Sequence, residues 1–334
     1  MKELQDRLTE RLNADVVLGA PSQLHHRMRD ECVLKSEQLA RMGREEAREA
    51  TVAAQRELEE EVMRAARDPD LRFLFFDGPG GSQVPQSVAD TVSNYLLNHN
   101  ANTGMSFATS METDEIITET LSACAEFLGC SDPNEIAFGQ NMTSLNIQLA
   151  SALSKTWGPG DEVVVTRLDH DGNVRPWSLA AEWSGASLKK IEVNPDDCTL
   201  DMESVAESIS ESTVLVAIGA ASNLSGTINN VRELIGIAHG FGAEVVVDAV
   251  HFAPHSLIDV EDIGCDFLLC SPYKFFGPHQ GILWGKRSRM EELPVAKLRV
   301  STEEVPFRWM TGTQSHEGMA GTKAAIDYIA WKIG

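Results

Sequence analysis

The chain lacks any apolar stretch near the roughly twenty residues that a membrane span requires. Its start, MKELQDRLTERLNADVV, has no apolar core of signal-peptide length. It also lacks basic charge, because 28 Lys+Arg stand against 50 Asp+Glu and leave a formal net charge of −22. Such a charge repels nucleic-acid phosphates and anionic membrane surfaces. These absences predict a cytoplasmic protein that binds neither nucleic acid nor membrane.

The cysteines are sparse and scattered. The six of them, at positions 32, 124, 130, 198, 265 and 270, form no C-x-x-C pair and no cluster with histidine. This spacing indicates neither a disulfide framework nor a structural zinc site. We assign no metal, even to the adjacent His25 and His26, because adjacent histidines on a charged segment are ordinarily solvated.

Two kinds of sequence follow one another along the chain. Residues 35–68 are dense in Glu, Arg and Ala and stop at DPD, which predicts a helix. No heptad is sustained, so this pattern favours a solvated helix over a coiled coil. We predict an N-terminal helical extension over residues 1–70 and one large domain over residues 71–334.

The large domain alternates short apolar runs with helical patterns. The runs are EIAF (135–138), DEVVVT (161–166), LKKIEV (188–193), TVLVAIG (213–219), AEVVVD (243–248), DFLLCS (266–271) and GILWG (281–285). Strands that are apolar on both faces and separated by helices predict an α/β fold, with a mostly parallel sheet sandwiched by helices. In such a sheet, ligands bind beyond the carboxyl ends of the strands.

One of these strand ends carries a lysine. Lys274 lies between an apolar run and two phenylalanines in DFLLCSPYKFFGPHQG (266–281). An ammonium in apolar surroundings is tolerated when it is paired, neutralised or used. The amine therefore either forms a Schiff base or reaches water along its own stem.

Polar residues follow the other runs as well. GQNMTSLN (139–146) follows the first run and predicts a helix start, which is an anion site. His170 and Asn223 follow two further runs, where either residue can simply shape a loop. Asp248 ends a fully apolar run and needs a cation or several donors. His251 follows it by three residues.

Together these residues meet the requirements of pyridoxal 5'-phosphate. This cofactor needs an amine for its aldehyde, a carboxylate for its ring nitrogen, an anion cradle and a flat group against its ring. Those four needs are met, in order, by Lys274, Asp248, the 140–146 turn and His170. The cofactor's phenolic oxygen would then face Asn223 and His251, and Ser271 would reach its phosphate.

Several segments resemble those of class V aminotransferases of pyridoxal-phosphate fold type I, in particular the cysteine desulfurase and selenocysteine lyase group. The resemblance extends over about residues 71–334, in the family's order. It is carried by DGPGGSQVPQSV (77–88), FGQNMTSLN (138–146), LDHDGNVRPW (168–177), ASNLSGTIN (221–229), the block 245–285 and TGTQSHEGMAG (311–321). It implies the large domain of fold type I.

The resemblance also assigns roles by position. It implies that Lys274 is the Schiff-base lysine, that Asp248 pairs the ring nitrogen and that His170 stacks on the ring. Asn223 and His251 are implied to face the phenolic oxygen.

For the phosphate, the resemblance implies Asn141, the amide of Met142, and Ser271. In this family a Gly-Thr pair of the neighbouring subunit completes the phosphate site, and Gly312 and Thr313 match that pair. A homodimer is therefore implied.

The chain departs from the desulfurase pattern in three places. Tyr273, which we include in the cofactor site, stands where those enzymes have histidine, and His251 stands where they have glutamine. After Thr313 only 21 residues follow, without cysteine or arginine. The family's small C-terminal domain, with its substrate-binding arginine and persulfide cysteine, is therefore expected to be missing or truncated.

The sequence thus predicts a pyridoxal-phosphate enzyme that acts on a small amino acid. Cysteine desulfurase-like or lyase-like cleavage of a C–S bond is favoured, with Lys274 as general base and a sulfur-acceptor protein as a further partner. Transamination or epimerisation is an alternative, which Tyr273 and His251 leave open. A truncated protein that binds cofactor without turnover is a third.

Overall fold

A computed structural model of the chain describes residues 78–333. The described residues belong to the compact unit Phe76–Gly334. The helical extension that we predict over residues 1–70 lies outside the described residues and stays a prediction.

Seven strands form one sheet, and each coincides with one of the predicted apolar runs. They are β1 (Ile136–Gly139), β2 (Glu162–Thr166), β3 (Ser187–Ile191), β4 (Thr213–Gly219), β5 (Glu244–Asp248), β6 (Phe267–Cys270) and β7 (Gly281–Gly285). Their order across the sheet is β1-β7-β6-β5-β4-β2-β3. The predicted α/β fold with a mostly parallel sheet is confirmed.

Strand β7 runs antiparallel to both of its neighbours, β1 and β6. A parallel pairing of β6 with β7 would need a crossover of a dozen or more residues. Only residues 271–280 separate the two strands, so β7 turns back beside β6 instead. The turn that joins them contains Lys274.

Nine α-helices accompany the sheet within the described residues. They are α1 (Gln86–Asn94), α2 (Ala108–Leu128), α3 (Met142–Leu153), α4 (Arg175–Ser184), α5 (Met202–Ser208), α6 (Val231–Gly240), α7 (Val260–Ile263), α8 (Arg287–Glu292) and α9 (His316–Tyr328). The left-handed glycine that follows α4, Gly185 with φ 80°, ends that helix. None of the described helices has the length and apolar character needed to cross a membrane.

The central strands are buried on both faces. Val245, Val246 and Val247 are consecutive in β5, point alternately to opposite faces, and are all fully buried. Each such side chain contributes about 1.5–3 kcal/mol by leaving water. Burial of both faces explains why these strands appear in the sequence as continuous apolar runs, and it leaves polar side chains to the strand ends.

Candidate active site

The carboxyl ends of β2, β4, β5 and β6 open around one cavity of about 130 Å³. It is lined by Pro79, Asn141, Met142, Thr143, Asp169, His170, Gly219, Ala221, Asn223, Asp248, Val250, His251, Ser271, Tyr273 and Lys274. The structure therefore brings together every site residue predicted from the sequence except Gly312 and Thr313. Their roles toward a cofactor stay predictions.

Lys274 lies on the short turn Pro272–Lys274 after β6. Its Nζ donates a hydrogen bond to the carbonyl oxygen of Pro79 and lies 4.7 Å from the centroid of the Tyr273 ring. The Tyr273 ring is itself stacked on His279, with 5.1 Å between the ring centroids. Lys274 is partly exposed, so its amine is not sealed in the apolar surroundings that the neighbouring phenylalanines suggest. It forms no ion pair among the described residues.

Asp248 is the last residue of β5 and is buried, with 9% of its surface exposed. Its Oδ1 accepts a hydrogen bond of 2.9 Å from the backbone N–H of Val250. Burial raises the pKa of Asp248 and the charge of Asp169 adds to the rise, while the Val250 bond and the Lys274 charge oppose it, so that the pKa is about 7. The carboxyl is thus poorly compensated and is suited to receive a cationic or N–H group.

His170 stands on the loop after β2, at the wall of the cavity. Its Nδ1 accepts a hydrogen bond of 3.0 Å from the N–H of Gly172, which caps the short turn Asp171–Asn173. This bond fixes Nδ1 as the unprotonated ring nitrogen when the imidazole is neutral. The loop therefore holds the ring in a defined orientation beside the cavity.

The start of α3 forms the anion-binding side of the cavity. Asn141 is the N-cap, and its Oδ1 accepts from the Ser144 N–H at 2.8 Å in a capping box. The Asn141 oxygen is therefore engaged by the helix, and the amides of Met142 and Thr143 are the ones that face an anion. Gly281 of β7 passes very close here, since an added Cβ would lie 2.3 Å from the Asn141 carbonyl carbon.

Asn223 and His251 line the cavity from adjacent loops. Asn223 lies in a tight turn closed by the Gly226 N–H and the Ser222 carbonyl, 3.0 Å apart, so it both shapes a turn and reaches the site. The Nδ1 of His251 is buried and has no hydrogen-bond partner among the described residues. Burial lowers the pKa of His251, with smaller contributions from His255 and Lys274, so the ring is neutral near pH 7.

Gly312 and Thr313 lie elsewhere. Both are exposed in the turn before α9, where Gly312 has φ 69°. They do not line the cavity of their own chain. Their implied place in the phosphate site of a neighbouring subunit stays a prediction.

Sequence reasoning missed two contributors, namely Asp169 and the carbonyl of Pro79, and it named Thr143 only as part of the 140–146 turn. Asp169 directly precedes His170 and follows the same apolar strand, so its position offered a signal. Thr143 is the second residue of α3. Pro79 comes from a distant part of the chain, and no local pattern relates it to Lys274.

The residues present fit pyridoxal phosphate. The cavity combines a primary amine, an uncompensated buried carboxyl, a helix start with free amides and an imidazole wall. It also contains a buried nitrogen, Nδ1 of His251, that lacks a partner. A larger cavity of about 470 Å³ beside α1 contains no ionisable side chain, so the chemistry belongs to the smaller one.

Fold and site together define the large domain of a pyridoxal-phosphate fold type I protein. A model of the aminotransferase class-V family matches residues 74–334, and the chain belongs to that family. It is 34% identical over 274 residues to a probable cysteine desulfurase of Halalkalibacterium halodurans, covering 77% of this chain and 66% of that protein. It is 35% identical over 232 residues to the aminotransferase-like protein FGM3 of Gibberella zeae, covering 67% and 56%.

Solved structures agree with this assignment. The apo structure of cysteine desulfurase from Thermococcus onnurineus NA1 superposes with a TM-score of 0.71 at 29% identity, covering 77% of this chain and 67% of that one. The chain thus spans about two thirds or less of the length of these curated relatives. Fold type I and family membership, both expected from the sequence, are confirmed.

Proposed function

We propose that this chain binds pyridoxal phosphate through Lys274 and that the protein acts on a small amino acid, with C–S bond cleavage in cysteine as the favoured reaction. One observation carries the proposal. Lys274 follows β6, Asp248 ends the adjacent strand β5, and both line the same cavity. An amine and a buried acid in this arrangement can engage the aldehyde and the ring nitrogen of one small heterocycle.

The other lining residues would hold the remaining parts of the cofactor. The amides of Met142 and Thr143 at the start of α3 would receive the phosphate, with Ser271 beside them. Asn141 would act mainly by capping that helix. His170 would stack on the ring, while Asn223 and the unpartnered Nδ1 of His251 would face the phenolic oxygen.

When bound, the cofactor supplies an electron sink that stabilises negative charge at the α carbon of an amino acid. Lys274 Nζ would take up and return the α proton, since an amine at this position is a general base once it is freed from the aldehyde. Asp248 would keep the ring nitrogen protonated. Tyr273, whose ring lies under the Lys274 amine, would orient that amine.

The favoured substrate rests on the relatives, which are named as cysteine desulfurases. The described residues contribute no exposed thiol to this cavity, and burial raises the pKa of Cys270, just behind it, well above that of an ordinary thiol. Acceptance of sulfur would then need a thiol from outside the described cavity, such as a sulfur-acceptor protein. Transamination is the second candidate, because the matching family is that of the class V aminotransferases.

Cofactor binding is tested by spectroscopy and mass spectrometry. The protein with pyridoxal phosphate should show a visible absorption band, and borohydride reduction should attach a phosphopyridoxyl group to Lys274. Lys274→Ala should lose the band and the adduct, and Lys190→Ala, on the exposed part of β3, should keep both. A wild-type protein that takes up no cofactor would refute the proposal.

The reaction is tested by incubating the loaded protein with cysteine. Alanine together with sulfide or persulfide would support desulfuration, whereas a keto acid together with a cofactor-bound amine would assign transamination. Loaded protein that turns over none of the amino acids tested would leave cofactor binding as the only function of this chain.

A second copy of the chain is proposed to complete the phosphate site with Gly312 and Thr313. Both residues are exposed and do not line the cavity of their own chain. Thr313→Ala should therefore weaken cofactor binding only through dimers. In a mixed dimer of one Thr313→Ala subunit and one Lys274→Ala subunit, the site that keeps Lys274 receives an intact Thr313 from its partner. That site should therefore bind the cofactor more tightly than the sites of the Thr313→Ala homodimer. A fully monomeric loaded protein would contradict this arrangement.

A further inference from the structure

A second carboxylate, Asp169, faces the cavity and is not assigned by the proposed roles above. It lies at the wall of the cavity on the loop after β2. Both of its oxygens accept from the N–H of Gly219 at 2.9 Å, and Oδ2 also accepts from Asn173 Nδ2 at 2.9 Å. No cation pairs with it among the described residues.

These hydrogen bonds fix the position of Asp169 closely. Asn173 is fully buried, and its Oδ1 accepts from Trp177 Nε1 at 3.2 Å and from Asn146 Nδ2 at 3.2 Å. The Asn146 amide also donates to the Gly172 carbonyl at 2.8 Å. The loop that contains Asp169 is thus anchored to two helices, and the carboxylate has little freedom to turn toward solvent.

Gly219 relates Asp169 to Asp248. Gly219 ends β4 and is the register partner of Asp248 on β5, and its N–H binds Asp169 from the side of β2. The two carboxyls therefore flank one glycine at the same edge of the sheet. Asp169 also lies very close to Gly219, since a Cβ on Gly219 would lie 2.6 Å from Asp169 Oδ1.

Ionisation of both Asp169 and Asp248 in this position is unfavourable unless a cation binds between or beside them. Burial raises the pKa of Asp169 to about 6, although hydrogen bonds from Gly219, Asn173 and Thr166 lower it. The charge of Asp169 in turn raises the pKa of Asp248. Lys274 is the cation that acts on Asp248, and its amine would be consumed by the cofactor's aldehyde. No other cation of the described residues would then compensate the two carboxyls at this edge of the cavity.

We propose that Asp169 is a positioning residue that acts through Asp248: its fixed negative charge strengthens the preference of the site for a protonated ring nitrogen. This inference rests on the proposed function. Hydrogen bonding to Gly219 and Asn173 alone does not require a carboxylate that lacks a countercharge. The electrostatic role accounts for the charge because interactions between charges extend beyond direct contact.

The test compares two ligands of the cofactor-free protein at about pH 8, where both carboxyls are ionised. One ligand is pyridoxal phosphate, and the other is its analogue with a carbon in place of the ring nitrogen. Binding is measured by absorbance and protein fluorescence. For Asp169→Asn we expect affinity for pyridoxal phosphate to fall about tenfold, with a smaller loss for the analogue. The matched control Asp171→Asn removes an exposed charge from the same loop and should change neither.

Equal losses of affinity for both ligands would show that Asp169 merely supports the loop. Equal affinities of Asp169→Asn and Asp171→Asn would show that Asp169 has no role in binding. Either result overturns this inference and leaves the proposed function standing. A wild-type protein that binds neither ligand would overturn the proposed function with it. Should Asp169→Asn not fold, the pair Asp169→Glu and Asp169→Gln gives the same comparison, because the two side chains match in size and differ in charge. The Glu variant should keep the preference for the protonatable ring.

Discussion

The buried carboxyl of Asp248 should destabilise the protein when no cofactor is bound. Its pKa is raised by burial, and further by the charge of Asp169, from 3.8 to about 7. An acid with a raised folded-state pKa holds its proton more tightly in the folded chain than in the unfolded chain. Its stabilising contribution is therefore complete below about pH 4 and is lost as the pH rises through about 7.

The magnitude follows from the shift. Each pKa unit corresponds to about 1.4 kcal/mol, so Asp248 should lower the free energy of unfolding by about 2–3 kcal/mol between about pH 5 and about pH 8. Asp248→Asn keeps an acceptor for the Val250 N–H and has no charge to titrate. The cofactor-free variant should lose that part of the pH dependence and be more stable than the wild type at about pH 8.

Urea unfolding of both cofactor-free proteins at the two pH values measures this effect, with Asp171→Asn as a control for loss of an exposed charge. With pyridoxal phosphate present, the order should reverse, because only the wild type can pair a protonated ring nitrogen. If the unfolding free energies of the wild type and Asp248→Asn differed by the same amount at both pH values, ionisation of the Asp248 carboxyl would not destabilise the folded protein, and the reasoning would be wrong.

Three further predictions concern the surroundings of the site. Gly281→Ala should push the start of α3 away from β7 and weaken phosphate and cofactor binding about tenfold in a fluorescence titration; unchanged affinity would argue against the anion site there. Leu149→Ala, fully buried in α3, should lower the free energy of unfolding by about 2–5 kcal/mol in urea, and a loss below about 1 kcal/mol would indicate a loosely packed helix. Burial alone would raise the pKa of Asp266, but hydrogen bonds from Lys286 and His239 hold it below 3.8, so its stabilisation is present above that pH and is lost in acid. Asp266→Asn should therefore lower stability by about 1.5–3 kcal/mol at about pH 7 and by less at about pH 3, whereas an equal loss at both would exclude the ion pairs as the cause.

The seven strands could be predicted because burial on both faces requires continuous apolar runs, as in EVVVD of β5. The carboxyl-end rule then gave the lining residues Asp248 and Lys274. Strand order and the reversed direction of β7 depend on pairings between distant segments, which no local pattern encodes. Asp169 was missed for a related reason: an acid on a charged loop is ordinarily solvated, and only the neighbouring strand end, Gly219, makes it part of the site.

The position of β1 has a consequence for biosynthesis. β1 lies at the margin of the sheet and pairs with β7, so that Ile136 meets Trp284. A ribosome must therefore release the chain through Gly285 before β1 acquires its neighbour and the start of α3 is backed by Gly281. Until then the emerging polypeptide carries an unpaired apolar strand, which is the period when a chaperone would be of most use to it.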